Sequence, residues 1–239
     1  MTDTAQKIKT QHWAVVPAAG VGSRMASNIP KQYLKICQKT VLEHTLNALL
    51  DHPAINGVVV AVSKGDPYWQ EINITSEKRI IQADGGKERC HSVYNGLTAI
   101  EDIVEPDDWV LVHDAARPCL RYNDMDKLIN DLSASSVGGL LAVPVRDTLK
   151  KAQADHLVSQ TIDRTGLWHA QTPQMFRYGL LKSALLQALN SNVIVTDEAS
   201  AVENYGHKPR LIEGHTDNIK ITLPEDLDLA EHYLLRNKS

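Results

Sequence analysis

Cysteine is scarce. Cys37, Cys90 and Cys119 are the three in 239 residues, an odd number without paired spacing. That excludes a disulfide framework and points to a reducing compartment. Long apolar runs are missing as well: no stretch approaches the roughly 18 residues that a membrane-spanning helix needs. The start, MTDTAQKIKTQ, lacks the apolar core of a secretory leader, so the expectation is an unprocessed cytoplasmic chain. There is no basic excess either. A formal net charge of −4 argues against nucleic acid or an anionic membrane as partner, and any anion must be held by local clusters. None of the 10 histidines sits in H-E-x-x-H or another metal spacing, and no G-x-S-x-G occurs. Cys90 and His91 are neighbours without the spacing of a catalytic dyad, and His113 and His169 read as core or surface residues beside strand ends. Internal repeats and low-complexity tracts are absent.

What is present is an alternation of short apolar runs with amphipathic ones, the pattern of a mostly parallel α/β sheet with helices on its faces. At 43% hydrophobic and 23% charged, the chain suits one globular domain over 1–239 with a sizeable excursion. Trp13 to Pro17 reads as the first strand. Thr40 and Glu43 form a capping box, and Val41, Leu42, Leu46, Leu49 and Leu50 give the following helix its apolar face. Gly57 to Val62 reads as a buried parallel strand. Val93, Leu97 and Ile100 mark a helix face, and Trp109–Val112 and Gly139–Val143 are further strands. Between about 144 and 168 the polar, weakly alternating VRDTLKKAQADHLVSQTIDRTG has no helix-length apolar face, and a structureless loop of that length is improbable inside a domain. A protruding β-arm of the kind that serves dimer contacts is expected there. Helices follow at Tyr178–Leu189 and from Thr196 toward Gly206, a C′ glycine. A short strand at Asn218–Ile221 precedes a last helix, expected to start with a second capping box, Thr222 to Glu225, and to carry Leu227, Leu229, Ala230, Leu234 and Leu235.

The loop after the first strand, VPAAGVGSRM, carries two glycines and an arginine, and PKQY follows it closely. Glycines between a strand and a helical start expose backbone N–H groups to a phosphate chain. Met25 stands where a dinucleotide fingerprint needs its third glycine, and no G-K-[ST] follows, so neither a nicotinamide nor a Walker A loop fits. Arg24 and Lys31 beside exposed amides suit a triphosphate undergoing substitution at phosphorus, where charge spreads over the equatorial oxygens. The plain alternative is a tight turn with two surface cations.

Asp114 and Arg117, in LVHDAARP, follow an apolar strand directly. Ligands of open parallel sheets sit at such carboxyl ends, so Asp114 is a candidate for Mg²⁺, directly or through water, or for a ribose. Arg146, Arg164 and Lys220 close three other segments. If they converge, they make a pocket for a dianionic phosphate, with Thr148 and Thr172 as hydroxyl donors.

The ordered set VPAAGVGSRM, PKQY, GGKERCHSV, VHDAARP, PVRDTLK, TIDRTGLWHAQTPQ, TDEAS and DNIKIT resembles the 2-C-methyl-D-erythritol 4-phosphate cytidylyltransferase family from about Val15 to Leu229. The resemblance implies a Rossmann-like nucleotidyltransferase fold, a β-arm and a homodimer built through it. It also implies transfer of a cytidylyl group from CTP to methylerythritol phosphate with Mg²⁺, in isoprenoid precursor synthesis. Pro17, Ala18, Ala19, Gly20, Val21 and Gly22 then wrap the triphosphate, with Arg24 and Lys31 as transition-state stabilisers. Gly86, Lys87 and Ser92 occupy cytosine-reading positions, and Asp114 and Arg117 lie near ribose, metal and acceptor phosphate. Thr148, Arg164, Thr172 and Lys220 match acceptor positions, Arg164 reaching across the dimer. Two positions depart from the family's habit: Lys87 stands where Asp is frequent, and Ser23 where a basic residue is frequent. A cytidylyltransferase acting on ribitol 5-phosphate shares much of this pattern, and a non-catalytic nucleotide-binding protein on the same fold is the rival from another class.

Overall fold

The computed structural model describes residues 10–20, 29–191 and 195–237. The expectations for Val21, Gly22, Ser23, Arg24 and Met25 lie outside the described residues.

In chain order the elements are β1 (His12–Pro17), β2 (Lys35–Ile36), β3 (Lys39–Thr40), α1 (Val41–Leu50), β4 (Gly57–Val62), β5 (Arg79–Asp84), α2 (Arg89–Thr98), β6 (Trp109–Val112) and α3 (Tyr122–Leu132). They continue with β7 (Gly138–Pro144), β8 (Leu149–Ala152), β9 (Val158–Ile162), β10 (Trp168–Arg177), α4 (Tyr178–Asn190), α5 (Glu198–Asn204), β11 (Arg210–Glu213) and α6 (Glu225–Arg236). Among the described residues, a seven-stranded sheet runs β11-β7-β10-β6-β1-β4-β5. It is parallel except for β10, which runs antiparallel to both of its neighbours.

The sheet is covered on both faces because its central strands are apolar at consecutive positions. β4 is buried along its whole length. Ala14, Val16, Val58, Val60 and Leu111 join Leu42, Leu46 and Leu49 of α1 and Met125, Leu128 and Leu132 of α3 in one core. The alternate residues Val15, Val59, Val110 and Val112 join Val93 and Leu97 of α2, Leu181 and Leu185 of α4 and Val202 of α5 in the other. Each fully buried valine contributes about 1.5–3 kcal/mol over exposure. A third cluster seats α6 and the β2–β3 ribbon against the loop after β6 through Ile36, Val41, Ala116, Cys119, Ile221 and Ala230.

The Thr40–Glu43 capping box is formed in full, the Glu43 N–H donating to Thr40 Oγ1 at 3.1 Å and the Thr40 N–H to Glu43 Oε2 at 2.6 Å. The expected second box is not. Pro224 is the N-cap of α6, with no side-chain cap, and Asp226 Oδ2 instead accepts the Thr222 and Leu223 N–H groups at 2.7 and 2.8 Å. A carboxylate one turn inside does the capping because Thr222 lies too far from the helix start. Leu229 and Leu235 are exposed; the apolar packing of α6 on the body runs through Leu227, Ala230, Tyr233 and Leu234. The strand expected at Asn218–Ile221 is not formed: the segment pairs with no strand among the described residues, and the Ile221 N–H goes instead to the Ala116 carbonyl at 2.8 Å.

The expected arm is the antiparallel β8–β9 ribbon, exposed along nearly its whole length and inserted between β7 and β10. α4 and α5 fall where expected, α5 starting at Glu198 behind an Asp197 cap and ending before Gly206, which has the positive φ of a C′ residue. Among the described residues no helix is long and apolar enough to cross a membrane.

Candidate active site

The sheet reverses its strand order around β1, with β4 on one side and β6 on the other, and the loops leaving β1, β5 and β6 open toward one edge. Such a switch point creates a crevice at the carboxyl ends of strands.

From β1 the chain runs into Ala18, Ala19 and Gly20. Gln32 Nε2 donates to the Ala18 carbonyl at 2.7 Å and the Gly20 carbonyl at 3.0 Å, while Ser63 Oγ donates to the Ala19 carbonyl at 3.2 Å. Three successive carbonyls are thereby held by the body rather than left to repel an anion. Lys31 is presented by the turn Lys31–Tyr33, and its ammonium donates to the Ile221 carbonyl at 2.7 Å.

β5 delivers the next wall. A Cβ on Gly85 would stand 2.2 Å from Ala19 Cβ, and one on Gly86 the same distance from His91 Cβ, so two glycines are needed for this turn to pass between the β1 loop and α2. The Gly86 N–H donates to Ser92 Oγ at 2.9 Å, which fixes the buried Ser92 under the turn.

β6 leads directly into His113 and Asp114. The Asp114 N–H donates to Thr172 Oγ1 at 3.0 Å; that hydroxyl donates to His113 Nδ1 at 2.9 Å, and His113 Nε2 donates to the Arg117 carbonyl at 3.0 Å. Burial holds the imidazole neutral, its pKa pushed down to about 4, which suits this assignment. His113 is thus a core residue, and the Thr172 hydroxyl is spent orienting the Asp114 backbone.

The Asp114 carboxylate is met by three cations: Arg89 Nε at 3.1 Å, Arg117 Nε at 3.2 Å and Lys220 Nζ at 3.0 Å. Burial opposes its charge, but Arg89, Lys220 and Arg117 together hold its pKa well below the usual carboxylate range. Behind it, Arg89 forks onto Glu198, which is 1% exposed, with Nη1–Oε1 at 2.5 Å and Nη2–Oε2 at 3.0 Å. Arg117 Nη1 also donates to the Asn218 carbonyl at 2.7 Å.

Two cavities meet at this cluster. One of about 350 Å³ is lined by Pro17, Ala18, Ala19, Gly20, Lys31, Gly86, Lys87, Ser92, Asp114 and Lys220. The other, about 190 Å³, is lined by Arg117, Thr172 and Asp114 together with Gln171, Gln174 and Lys220. Arg89, Asp114 and Lys220 form part of both walls. The residues expected at the nucleotide, among those described, therefore converge. Of the three cations expected to converge on a phosphate, only Lys220 reaches the cavities. Arg164 donates through Nη1 to the Arg146 carbonyl at the exposed root of the ribbon, and Thr148 is exposed there too. Arg89 takes their place within one chain. Sequence reading assigned no role to Arg89, Gln32 or Glu198. Arg89 and Glu198 lie in the quoted GGKERCHSV and TDEAS segments, but nothing local signals a pairing across 109 residues.

A crevice at a switch point, with cations where it opens onto a second cavity, is an arrangement of the nucleotidyltransferase class. The family profile for 2-C-methyl-D-erythritol 4-phosphate cytidylyltransferase matches residues 12–236. A cytidylyltransferase of that name from Aliivibrio fischeri strain MJ11 is 53% identical over 225 residues, covering 94% of each chain. Another from Pseudomonas entomophila strain L48 is 56% identical over 217 residues, covering 90% of this chain and 92% of its own. A crystal structure of a 4-diphosphocytidyl-2C-methyl-D-erythritol synthase superposes with TM-score 0.83 at 39% identity, covering 95% of this chain and 100% of its own. The chain belongs to the 2-C-methyl-D-erythritol 4-phosphate cytidylyltransferase family.

Proposed function

We propose that the chain transfers the cytidylyl group of CTP to 2-C-methyl-D-erythritol 4-phosphate, giving 4-diphosphocytidyl-2-C-methyl-D-erythritol and pyrophosphate in isoprenoid precursor biosynthesis. The observation that carries this reading is the shared wall of Arg89, Asp114 and Lys220 between a nucleotide-sized cavity and a smaller cationic one. Two polyanions have to approach each other, and the wall between them is where positive charge is concentrated.

An oxygen of the acceptor phosphate attacks the α-phosphorus in line; the new O–P bond forms as the bond to the β-phosphate oxygen breaks. A phosphate oxygen is already ionised at neutral pH, so no general base is required. The loop from Pro17 to Gly22 receives the triphosphate. Arg24 and Lys31 stabilise charge that grows in the transition state. Gly86, Lys87 and Ser92 frame the cytosine. Arg117 and Lys220 hold the acceptor phosphate, with Thr172 fixing the strand end beneath them.

Asp114 is a hard oxygen donor on both cavity walls, and one carboxylate supplemented by phosphate oxygens and water is the set Mg²⁺ accepts, so the residues fit that ion. When bound, Mg²⁺ supplies charge neutralisation at the phosphates. A homodimer through the β8–β9 ribbon brings Arg164 and Thr148 of one copy to the acceptor pocket of the other. Leu157 and Val158, 64% and 61% exposed near the ribbon tip, are apolar surface that such a contact covers. A cytoplasmic location fits a chain with three scattered cysteines, an odd number without paired spacing.

The test is pyrophosphate release with CTP and Mg²⁺, comparing methylerythritol phosphate with ribitol 5-phosphate. Release with the first alone is expected. Release with the second alone would keep the chemistry and transfer the chain to polyol activation, and silence with both would overturn the enzymatic reading.

A further inference from the structure

Outside the cation cluster, three metal-ligating side chains gather at the start of α2. Glu88, Cys90 and His91 each offer an atom, and these atoms lie within 4.8 Å of one another. We propose that Glu88, Cys90 and His91 form a binding site for a borderline-soft divalent cation of the Zn²⁺ class, on the lip of the nucleotide cavity.

The distances support this. A tetrahedral shell with Zn–S of about 2.3 Å and Zn–N of about 2.0–2.1 Å sets sulfur and nitrogen roughly 3.5–3.6 Å apart. Cys90 Sγ and His91 Nδ1 are 3.6 Å apart. Cys90 Sγ and Glu88 Oε2 are 4.0 Å apart, a few tenths beyond the corresponding edge, and the exposed Glu88 carboxylate is free to close that gap. The three ligands come from one turn of chain, so little loop entropy is lost in closing the chelate. Three protein ligands leave a fourth position for water or an anion, as in open rather than structural sites.

The donor set also sets the selectivity. One thiolate, one imidazole and one carboxylate suit Zn²⁺, Co²⁺ or Cd²⁺; Mg²⁺ prefers an all-oxygen shell and does not compete. The S–metal bond forms as the Cys90 thiol gives up its proton to buffer. The helix N-terminus disfavours a cation but favours the thiolate, and the two effects offset each other.

The site has a structural connection to the nucleotide pocket. His91 Cβ lies against Gly86, whose N–H is held by Ser92 Oγ, and Glu88 lines the larger cavity. Exchanging a thiol proton for a divalent cation adds one positive charge at the lip. By linkage, CTP and the bound cation then raise each other's affinity by the same factor.

The experiment is titration of the full chain with Co²⁺, in a Cys37→Ala background that removes the other partly exposed thiol. One equivalent should give thiolate-to-metal charge-transfer absorption and the visible bands of a tetrahedral ion, both displaced by Zn²⁺. Cys90→Ala should abolish the charge-transfer band, and His91→Ala and Glu88→Gln should each weaken binding at least about tenfold, as even outer-shell losses do. Circular dichroism confirms that the variants fold. Absence of the band, its persistence in Cys90→Ala, or indifference to both His91→Ala and Glu88→Gln would overturn the site. None of these readouts requires turnover, so failure here leaves the cytidylyl-transfer reading standing.

Discussion

Replacing Arg89 by leucine keeps most of the side-chain volume and removes the fork that both Glu198 oxygens meet. Glu198 is 1% exposed and its contacts to Arg89 are 2.5 and 3.0 Å, so the variant strands a carboxylate in the interior. Two unit charges about 3 Å apart at an effective dielectric near 20 attract by roughly 5–6 kcal/mol, an upper bound on the lost interaction. Breaking one side of a buried pair costs about 3–5 kcal/mol in practice. Against a total stability of about 5–15 kcal/mol, that loss is large. The sign of its pH dependence follows from linkage. In Arg89→Leu the stranded Glu198 has a folded-state pKa raised above its unfolded value, so the folded state binds the extra proton. The penalty is therefore greatest at neutral pH and shrinks toward acid. Removing the stranded charge as well, in Arg89→Leu with Glu198→Leu, should restore much of the loss. The assay is urea unfolding of the four members of this cycle at neutral and at mildly acidic pH. A loss below about 1 kcal/mol, the range of a surface ion pair, would refute the reasoning, as would a penalty that deepens with acid.

Four other outcomes are expected. Lys31→Ala should cut turnover by about 10²–10³ with the fold intact, as removal of one electrostatic donor does, and near-normal turnover would take Lys31 out of the chemistry. Gln32→Leu leaves the Ala18 and Gly20 carbonyls without their donor; a loss of about 1–3 kcal/mol and a raised KM for CTP should appear together, and an unchanged KM would contradict the positioning role. If the proposed ribbon contact holds two copies together, deleting 152–159 should turn a dimer into monomers in sedimentation velocity, whereas a dimer that survives would refute the ribbon contact. Burial lowers the pKa of His52, against the pull of Asp126, so the native state binds fewer protons than the unfolded chain. Stability should therefore fall as pH drops through about 6.5, and more steeply than in His52→Gln; equal slopes would exclude His52 as the source.

The elements legible in the sequence are those whose signal is local. β1, β4 and β6 are short apolar runs, and the capping box of α1 is closed by groups three residues apart. The ribbon was legible by its polarity. The signal of α3 is local as well: no side chain caps it at Arg121, but Met125, Leu128 and Leu132 recur at helical spacing and are buried against the sheet. β10 carries no comparable signal. It contains Pro173 and a polar stretch, and it is a strand because β6 and β7 offer it edges on both sides. The second capping box failed for a related reason: the spacing was right, but Pro224 set the helix start and Asp226 took the bonds.

The sequence by itself determined the class of chemistry. Glycines and cations follow the first strand, an Asp-Arg pair follows a buried one, and the order of these motifs places the chain in its family. Each of those signals lies within a few residues. Only the tertiary structure decided how charge is distributed around Asp114. It placed Arg89, Arg117 and Lys220 within 3.2 Å of one carboxylate, backed Arg89 with Glu198, and left Arg146 and Arg164 on the ribbon. An ion pair carries no sequence periodicity; its partners are chosen by where the sheet and its covering helices bring distant residues, and by the energy of leaving a buried charge unmatched.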